Sequence, residues 1–345
     1  MPAKVTAPVR LAVIGCGGIS RAHGVGFLQH KDKLRVVALC DVAEANLKAR
    51  TEQLAATGHP PPRCFADWKV ALKEMAGEID AVDICLPHHL HAPAILDAAA
   101  AGKHILCEKP MCMTLAEAEQ ILAAVRKAGI TYMSAHNQLF MPCVREATRM
   151  IRDGLLGKVY YVRSADCFRG NPAGFAASWR AKLAYQGGGE LIDTGYHPTY
   201  RMLHLATAAG SGFGQVRAVR ATMGRFHLTI EGEDTAAVQV RFASGTIGEI
   251  LTSWAMPLPY GMHQIHIVGE KGQLFGSENN LHYLPLGAKE PALFTYPGVD
   301  TFAEEIGHFA DCLLEGKAPL HGPEEGKAVL ELILQATDNA AGWQG

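Results

Sequence analysis

The run Gly187-Gly188-Gly189-Glu190-Leu191-Ile192-Asp193-Thr194-Gly195-Tyr196-His197 sets a carboxylate and an imidazole four residues apart behind a glycine triplet. If the segment is helical, Asp193 and His197 share a face one turn apart. A carboxylate beside an imidazole fixes its orientation and raises its basicity, which a general base near neutral pH needs. The glycines permit close backbone approach and a sharp turn into a helix. Pro198 works the other way, pushing His197 out of the helical region, so a helix here breaks or restarts. An Asp–His pair at this spacing is in isolation an ordinary surface pair. Just upstream lie Trp179, Arg180 and Tyr185. An aromatic ring stacks on the apolar face of a sugar, and arginine binds hydroxyls or a carboxylate; packing at a rim is an equally good use for them.

A second constellation is Glu108-Lys109-Pro110, at the end of an apolar run. A lysine there lies near a sheet-edge crevice, where its charge orients a hydroxyl and favours a developing alkoxide. Proline after it fixes the turn, through a cis bond if one is needed. A third is Gly15-Cys16-Gly17-Gly18-Ile19-Ser20. In a dinucleotide site the first glycine makes the turn, the second lets backbone approach the pyrophosphate, and a small third residue, here Ser20, allows helix–strand packing. Asp41 closes the next apolar run, where a carboxylate accepts from ribose hydroxyls and repels a 2′-phosphate; no arginine follows it at Val42-Ala43, so NAD is expected over NADP. A fourth is Leu86-Pro87-His88-His89-Leu90-His91. Successive residues point apart and no carboxylate or cysteine completes a set, so no metal is expected. Leu86, Pro87, His88 and His91 instead fit the wall of a nicotinamide pocket or a structural loop.

These groups need elements to hold them. Apolar runs at Val9–Gly15, Leu34–Cys40, Ala81–Leu86, His104–Cys107 and Ile130–Ala135 alternate with helical stretches at Ser20–Gln29, Ala43–Thr57, Trp68–Met75, Ala92–Ala101 and Thr114–Ala128. Repeated βα units imply a parallel, doubly wound sheet. Thr114 is a usable N-cap with Glu117 counted one residue off the ideal box position. After about residue 138 the pattern changes. A helix at Cys143–Gly154 leads into strand-like stretches at Lys158–Phe168, Arg217–Phe226, Ala236–Phe242, Gly245–Trp254 and Met262–Val268, with a hairpin turn at Phe242–Thr246. That is a largely antiparallel, open-faced sheet. Helices at Thr301–Leu314 and Pro323–Ala340 close the chain. The expected fold is α/β in two domains, residues 1–138 for the dinucleotide and 139–345 for substrate binding and oligomerisation.

The bulk numbers narrow the classes. A chain of 345 residues exceeds one ordinary core. Lys+Arg of 32 against Asp+Glu of 34 leaves no basic excess for nucleic acid. No apolar run approaches the length of a membrane span, and the opening MPAKVTAPVR lacks the apolar stretch of a signal peptide. Nine cysteines with no CxxC pair read as reduced, mostly buried thiols of a cytoplasmic protein.

Taken together, GCGGISRAH, LPHHLH, CEKP, the HNQ containing Asn137, and GGGELIDTGYH resemble the Gfo/Idh/MocA oxidoreductases (glucose–fructose oxidoreductase, inositol dehydrogenase and relatives) over nearly the whole chain, including the closing Phe302, Phe309, Gly316 and Pro319. The resemblance implies a Rossmann domain, an α/β domain whose large sheet forms a dimer or tetramer interface, and NAD(P)-dependent redox chemistry on sugars or polyols. It places Lys109, Asp193 and His197 in the catalytic roles, and Glu108 and Asn137 beside the cofactor. Two departures stand out: His88 where many relatives carry the amide of Thr-Pro-Asn, and Pro198 directly after His197. The expected activity is oxidation of a secondary hydroxyl of a sugar, a glycoside (for example at C3) or a cyclitol. A glycosidase working by transient C3 oxidation, or a sensor that binds NAD and sugar without turnover, would use the same residues.

Overall fold

The computed structural model describes residues 5–340. Two compact units emerge: one runs up to Asn137 and takes in Asp300–Lys327, the other spans Gln138–Val299 and the chain from Ala328 onward. The chain thus returns once to its first unit, a course that a single boundary at residue 138 does not describe.

In the first unit, β1 (Val9–Ile14), β2 (Leu34–Cys40), β3 (Arg63–Phe65), β4 (Ala81–Ile84), β5 (His104–Glu108) and β6 (Tyr132–Ala135) form one sheet in the order β3-β2-β1-β4-β5-β6. Every pairing is parallel. The order reverses between β1 and β4, the switch point beside which such sheets bind ligands. The strands are almost wholly apolar and buried because helices cover both faces. The return of residues 300–327 has a packing cause. Ile306, Phe309, Ala310 and Leu313 of the helix Thr301–Glu315 share a core with Val9, Leu11, Val13 and Phe27. Burying each large apolar side chain stabilises by about 1.5–3 kcal/mol. The fit is close: a Cβ on Gly26 of the helix Gly18–Gln29 would stand 2.8 Å from Ile306. The helix Leu115–Ala128 has a complete capping box, with Thr114 as N-cap and Glu117 at the third helical position. Glu117 therefore stands at the box position itself and not one residue off it.

In the second unit, β7 (Val159–Cys167), β8 (Val216–Gly224), β9 (Thr235–Phe242), β10 (Ile247–Ser253), β11 (Ile265–Gly269), β12 (Gly272–Ser277), β13 (Asn280–Pro285) and β14 (Ala292–Thr295) form a sheet in the order β14-β13-β12-β11-β7-β10-β9-β8. All pairings are antiparallel except β7 with β10. Burial alternates along β9 residue by residue, as expected of a sheet with one covered face. The cover includes the helix Tyr196–Ala208, whose Met202 sulfur would lie 2.8 Å from a Cβ on Gly248 of β10. Pro198 sits in the first turn of that helix, where its missing N–H has no intrahelical partner to lose. The helix therefore begins beside His197 rather than breaking there. Asp193 lies outside it, in the turns of Glu190–Gly195, so the expected single helix carrying both residues is not what forms. Among the described residues no helix is long and apolar enough to cross a membrane.

Candidate active site

In the first unit, the candidate residues begin at the turn after β1. Gly15 has φ 92°, a left-handed conformation, and a Cβ there would meet Cys85 O at 2.5 Å, so only glycine lets the two strand ends meet. Gly17 is the N-cap of Gly18–Gln29, and no side chain caps that end. A Cβ on Gly17 or Gly18 would meet nothing within 4 Å. Backbone N–H groups at the start of a twelve-residue helix, with open space before them, fit a diphosphate. Ile19 is exposed there, while buried Ser20 donates its hydroxyl to Gly17 O at 2.8 Å and ties the turn down. Asp41, just past β2, accepts from Cys16 N at 2.8 Å, Ala43 N at 2.7 Å and Asn46 Nδ2 at 3.1 Å. A carboxylate accepts about four hydrogen bonds, so this one is fixed in place with capacity left for a ribose hydroxyl.

At the ends of β4 and β5, Leu86 and Pro87 are half-buried, and His88 is buried at the start of a short 3-10 turn. His91 is the residue of that run expected beside the cofactor, at the start of the next helix. It is wholly buried, with Nδ1 2.6 Å from Pro110 O and Nε2 2.7 Å from Leu86 O, so both nitrogens are taken up within the fold. Burial lowers its pKa, so the ring is neutral at pH 7 and donates to one of the two carbonyls. Lys109 is half-buried and the Lys109–Pro110 bond is cis. Its N–H donates to Glu108 Oε2 at 3.0 Å. Asn137 is buried and donates from Nδ2 to Thr301 Oγ1 at 3.0 Å.

Beneath these strand ends lies a buried charge cluster. His23, on the helix Gly18–Gln29, stands 2.9 Å from Asp83 Oδ2 through Nδ1 and 3.0 Å from Glu108 Oε1 through Nε2. Burial works against its charge, but the charge and hydrogen bond of Asp83 together with those of Cys85 outweigh that and hold the ring's pKa well above the ordinary imidazole value. Glu108 is correspondingly held low: burial pushes it up, and the hydrogen bond and charge of His23, with the charge and N–H of Lys109, together more than offset this. His23, Asp83 and Cys85 form the one group among the described residues whose donor atoms lie within 4.8 Å of one another, as metal ligands would.

In the second unit, the candidate residues are built on the glycine triplet. A Cβ on Gly189 would lie 2.2 Å from Glu233 Oε2, so the backbone passes against that side chain. Glu233 Oε1 accepts from Leu191 N at 2.9 Å, and Glu190 Oε1 accepts from Thr252 Oγ1 at 2.5 Å. Burial drives the pKa of Glu190 well up. These contacts fix the turns that carry Asp193, which is 2% exposed and pairs through Oδ2 with Arg180 Nε at 2.6 Å. The Arg180 guanidinium also lies over the Trp179 ring, 4.5 Å from its centre. His197 is half-buried, and its Nδ1 lies 2.7 Å from Tyr200 Oη, which accepts from Gln138 N at 3.1 Å. Buried Arg201 donates to Ser164 Oγ at 3.0 Å and to Ala165 O at 2.8 Å, and it also meets Gln138 Oε1.

Several of these groups escape a reading of the sequence. His23 stands three residues past Ser20, but nothing in its spacing announces two carboxylate partners from distant strands. Tyr200 had a signal, since a tyrosine three residues after His197 shares its helix face. Gln138 stands in the HNQ motif but with no role read for it, and Arg201 and Glu233 had no signal.

The family model described as "Oxidoreductase family, NAD-binding Rossmann fold" matches residues 9–136, and the GFO/IDH/MocA C-terminal domain model matches residues 144–275. The chain is 27% identical over 344 residues to scyllo-inositol 2-dehydrogenase (NAD(+)) of Bacillus subtilis, covering 96% of this chain and 94% of that one. It is 26% identical over 269 residues to D-glucoside 3-dehydrogenase of Escherichia coli, covering 74% of this chain and 72% of that one. The crystal structure of aldose-aldose oxidoreductase from Caulobacter crescentus complexed with glycerol superposes with a TM-score of 0.81 at 26% identity, covering 96% of this chain and 97% of that one. With an NAD-binding Rossmann unit followed by the matching C-terminal domain, this chain belongs to the Gfo/Idh/MocA family of oxidoreductases.

Proposed function

We propose that this protein is an NAD-dependent dehydrogenase that oxidises a secondary hydroxyl of a sugar, glycoside or cyclitol. The observation that carries the reading is His197, half-buried and held through Nδ1 by the Tyr200 hydroxyl at 2.7 Å. With Nδ1 donating to Tyr200, Nε2 is the nitrogen that takes the hydroxyl proton. Lys109, in the role the family resemblance implies, stabilises the alkoxide charge with its ammonium as the proton leaves. Asp193 and Arg180 hold neighbouring hydroxyls, and Trp179 packs against the ring's apolar face. NAD, when bound, supplies the hydride acceptor. Gly15, Gly17, Gly18, Ile19 and Ser20 form its diphosphate turn, Asp41 takes its ribose, and Leu86, Pro87, His88, Glu108 and Asn137 border its nicotinamide end. The substrate class rests on the relatives, one named for an inositol and one for a glucoside.

The test is purified protein with NAD and a panel of inositols, aldoses and glycosides, followed by NADH absorbance and product mass. NADH formed with one class, and lowered roughly 10²–10⁴-fold in His197→Ala, supports the reading. Near-normal turnover in His197→Ala removes that residue from its role. Aglycone release without net NADH transfers the reading to redox-assisted glycoside cleavage.

A homo-oligomer in the cytoplasm completes the proposal. The sheet face turned away from the helix Tyr196–Ala208 exposes Ile247 and leaves Tyr161, Leu251 and Phe275 half-buried. Light scattering that returns a monomer at micromolar concentration would remove this part.

A further inference from the structure

We propose that His23 is a positioning residue for Lys109, fixing the lysine's turn through the side chain of Glu108. The inference rests on the catalytic reading of Lys109. His23 has no contact with a substrate in this scheme and acts only through its neighbours.

The two oxygens of Glu108 have different partners. One, Oε1, takes His23 Nε2 at 3.0 Å; the other, Oε2, takes the backbone N–H of Lys109 at 3.0 Å. The carboxylate is therefore a bridge from the imidazole to the lysine's own backbone. The ring is fixed on its far side by Asp83 Oδ2 at 2.9 Å. Both partners are carboxylates, which only accept when ionised, so both ring nitrogens donate and the ring is an imidazolium. The raised pKa of His23 and the lowered pKa of Glu108 agree with that assignment. Charge-assisted hydrogen bonds are roughly twice as strong as neutral ones, and they hold angles as well as distances.

The surroundings keep this arrangement dry. The side chains of His23 and Asp83 are 0% exposed and that of Glu108 is 9% exposed. The Phe27 and Phe302 rings stand 6.5 Å and 5.7 Å from the imidazole. Glu305 is buried close by, and burial drives its pKa well up. An ion triad in such a place is a poor way to stabilise a fold, since a packed apolar set often does as well or better. What it supplies is geometry. His23 sits on the helix that begins at the diphosphate turn, and Glu108 sits at the strand end that presents Lys109. The ring thus ties cofactor helix and catalytic strand end into one rigid piece, and His91 adds a second hold on the same turn at Pro110 O.

The test uses the full chain with NAD and whichever panel compound the wild-type protein oxidises. The variants are His23→Gln, Lys109→Ala and the double variant, with Asp83→Asn replacing His23→Gln if the latter does not fold. Hydrogen exchange in the peptide around Glu108–Met111 is read against the β9–β10 hairpin. We expect exchange at the Lys109 turn to rise about tenfold, the worth of one lost hydrogen bond, with the hairpin unchanged. We expect kcat to fall about 10²-fold with little change in KM, as for a misplaced catalytic group, and no further fall when His23→Gln is added to Lys109→Ala. Unchanged exchange at Glu108–Met111 overturns the proposal, and so does a loss that adds in full to that of Lys109→Ala. Full turnover in Lys109→Ala instead overturns the catalytic reading of the lysine. In that case, or if no panel compound is oxidised, the exchange result alone decides whether His23 fixes the turn.

Discussion

Arg180 Nε stands 2.6 Å from Asp193 Oδ2, joining a guanidinium whose side chain is 39% exposed to a carboxylate that is 3% exposed. A carboxylate taken that far out of water needs a partner, and here the partner is also stacked on Trp179. Arg180→Ala should therefore act twice. It should cost about 1–3 kcal/mol of stability by leaving a buried acceptor with one donor fewer. It should also raise KM for a polyhydroxylated substrate by the loss of donors. Arg180→Lys keeps the charge without the planar fork and should restore stability more than KM. Urea melts and initial rates on the three proteins check this; equal recovery of both by lysine would reduce Arg180 to a point charge.

Gly17→Ala separates a ligand role from a structural one. Gly17 has φ −73°, and a Cβ there meets nothing within 4 Å, so alanine fits the folded chain. Alanine is a poorer N-cap than glycine, and the stability cost should stay within about 1 kcal/mol. The added methyl group would stand where the cofactor's diphosphate is proposed to lie, so Kd for NAD should rise at least about tenfold, or ~1.4 kcal/mol. Calorimetric titration with NAD, beside melts without it, gives both numbers. An unchanged Kd would move the diphosphate away from this turn.

How far the sequence carries depends on whether a feature is local. β1, β2 and their glycine turn were legible because a buried parallel strand is a continuous apolar run closed by glycine. β3, only three residues long, and the β12–β14 ribbon gave no such run: Gly272, Gly276 and Asn280 break the alternation, and all four residues of β14 are exposed. The return of residues 300–327 depends on Gly26 admitting Ile306, a contact between residues 280 apart in number. The same divide runs through the site. Lys109, Asp193 and His197 stand in motifs with readable chemistry, whereas His23, Gln138 and Arg201 gain their roles only from partners that the topology brings in.

Tyr200→Phe tests whether the tyrosine hydroxyl holds the imidazole. Tyr200 is fully buried, and its oxygen takes Gln138 N–H at 3.1 Å while facing His197 Nδ1 at 2.7 Å. Removing it strands a backbone donor, for a stability loss of about 1–3 kcal/mol. It also removes the acceptor that keeps the proton on Nδ1, so kcat should fall, about 10–10²-fold, more than KM rises. A stability loss with unaltered kcat would make Tyr200 a packing residue only.

Glu190→Gln should stabilise the protein, and by an amount that grows with pH. Burial raises the Glu190 pKa well above its ordinary value; Oε1 accepts from Thr252, and Oε2 has no hydrogen-bond partner among the described residues. The folded state thus keeps a proton that the unfolded chain releases above about pH 4.3. Between that pH and the raised folded value the unfolded state binds fewer protons, so stability falls as pH rises, by up to about 1.4 kcal/mol per unit for one such group. Glutamine cannot titrate and still offers Thr252 an acceptor, so this part of the slope disappears. Glu233 and Glu305, also pushed up by burial, titrate in both proteins and cancel in the difference. Urea midpoints from pH 5 to 8 should diverge steadily in favour of the variant. A constant offset across that range would mean that Glu190 holds the same protonation in both states, and that the buried carboxyl is compensated by contacts other than the Thr252 hydroxyl.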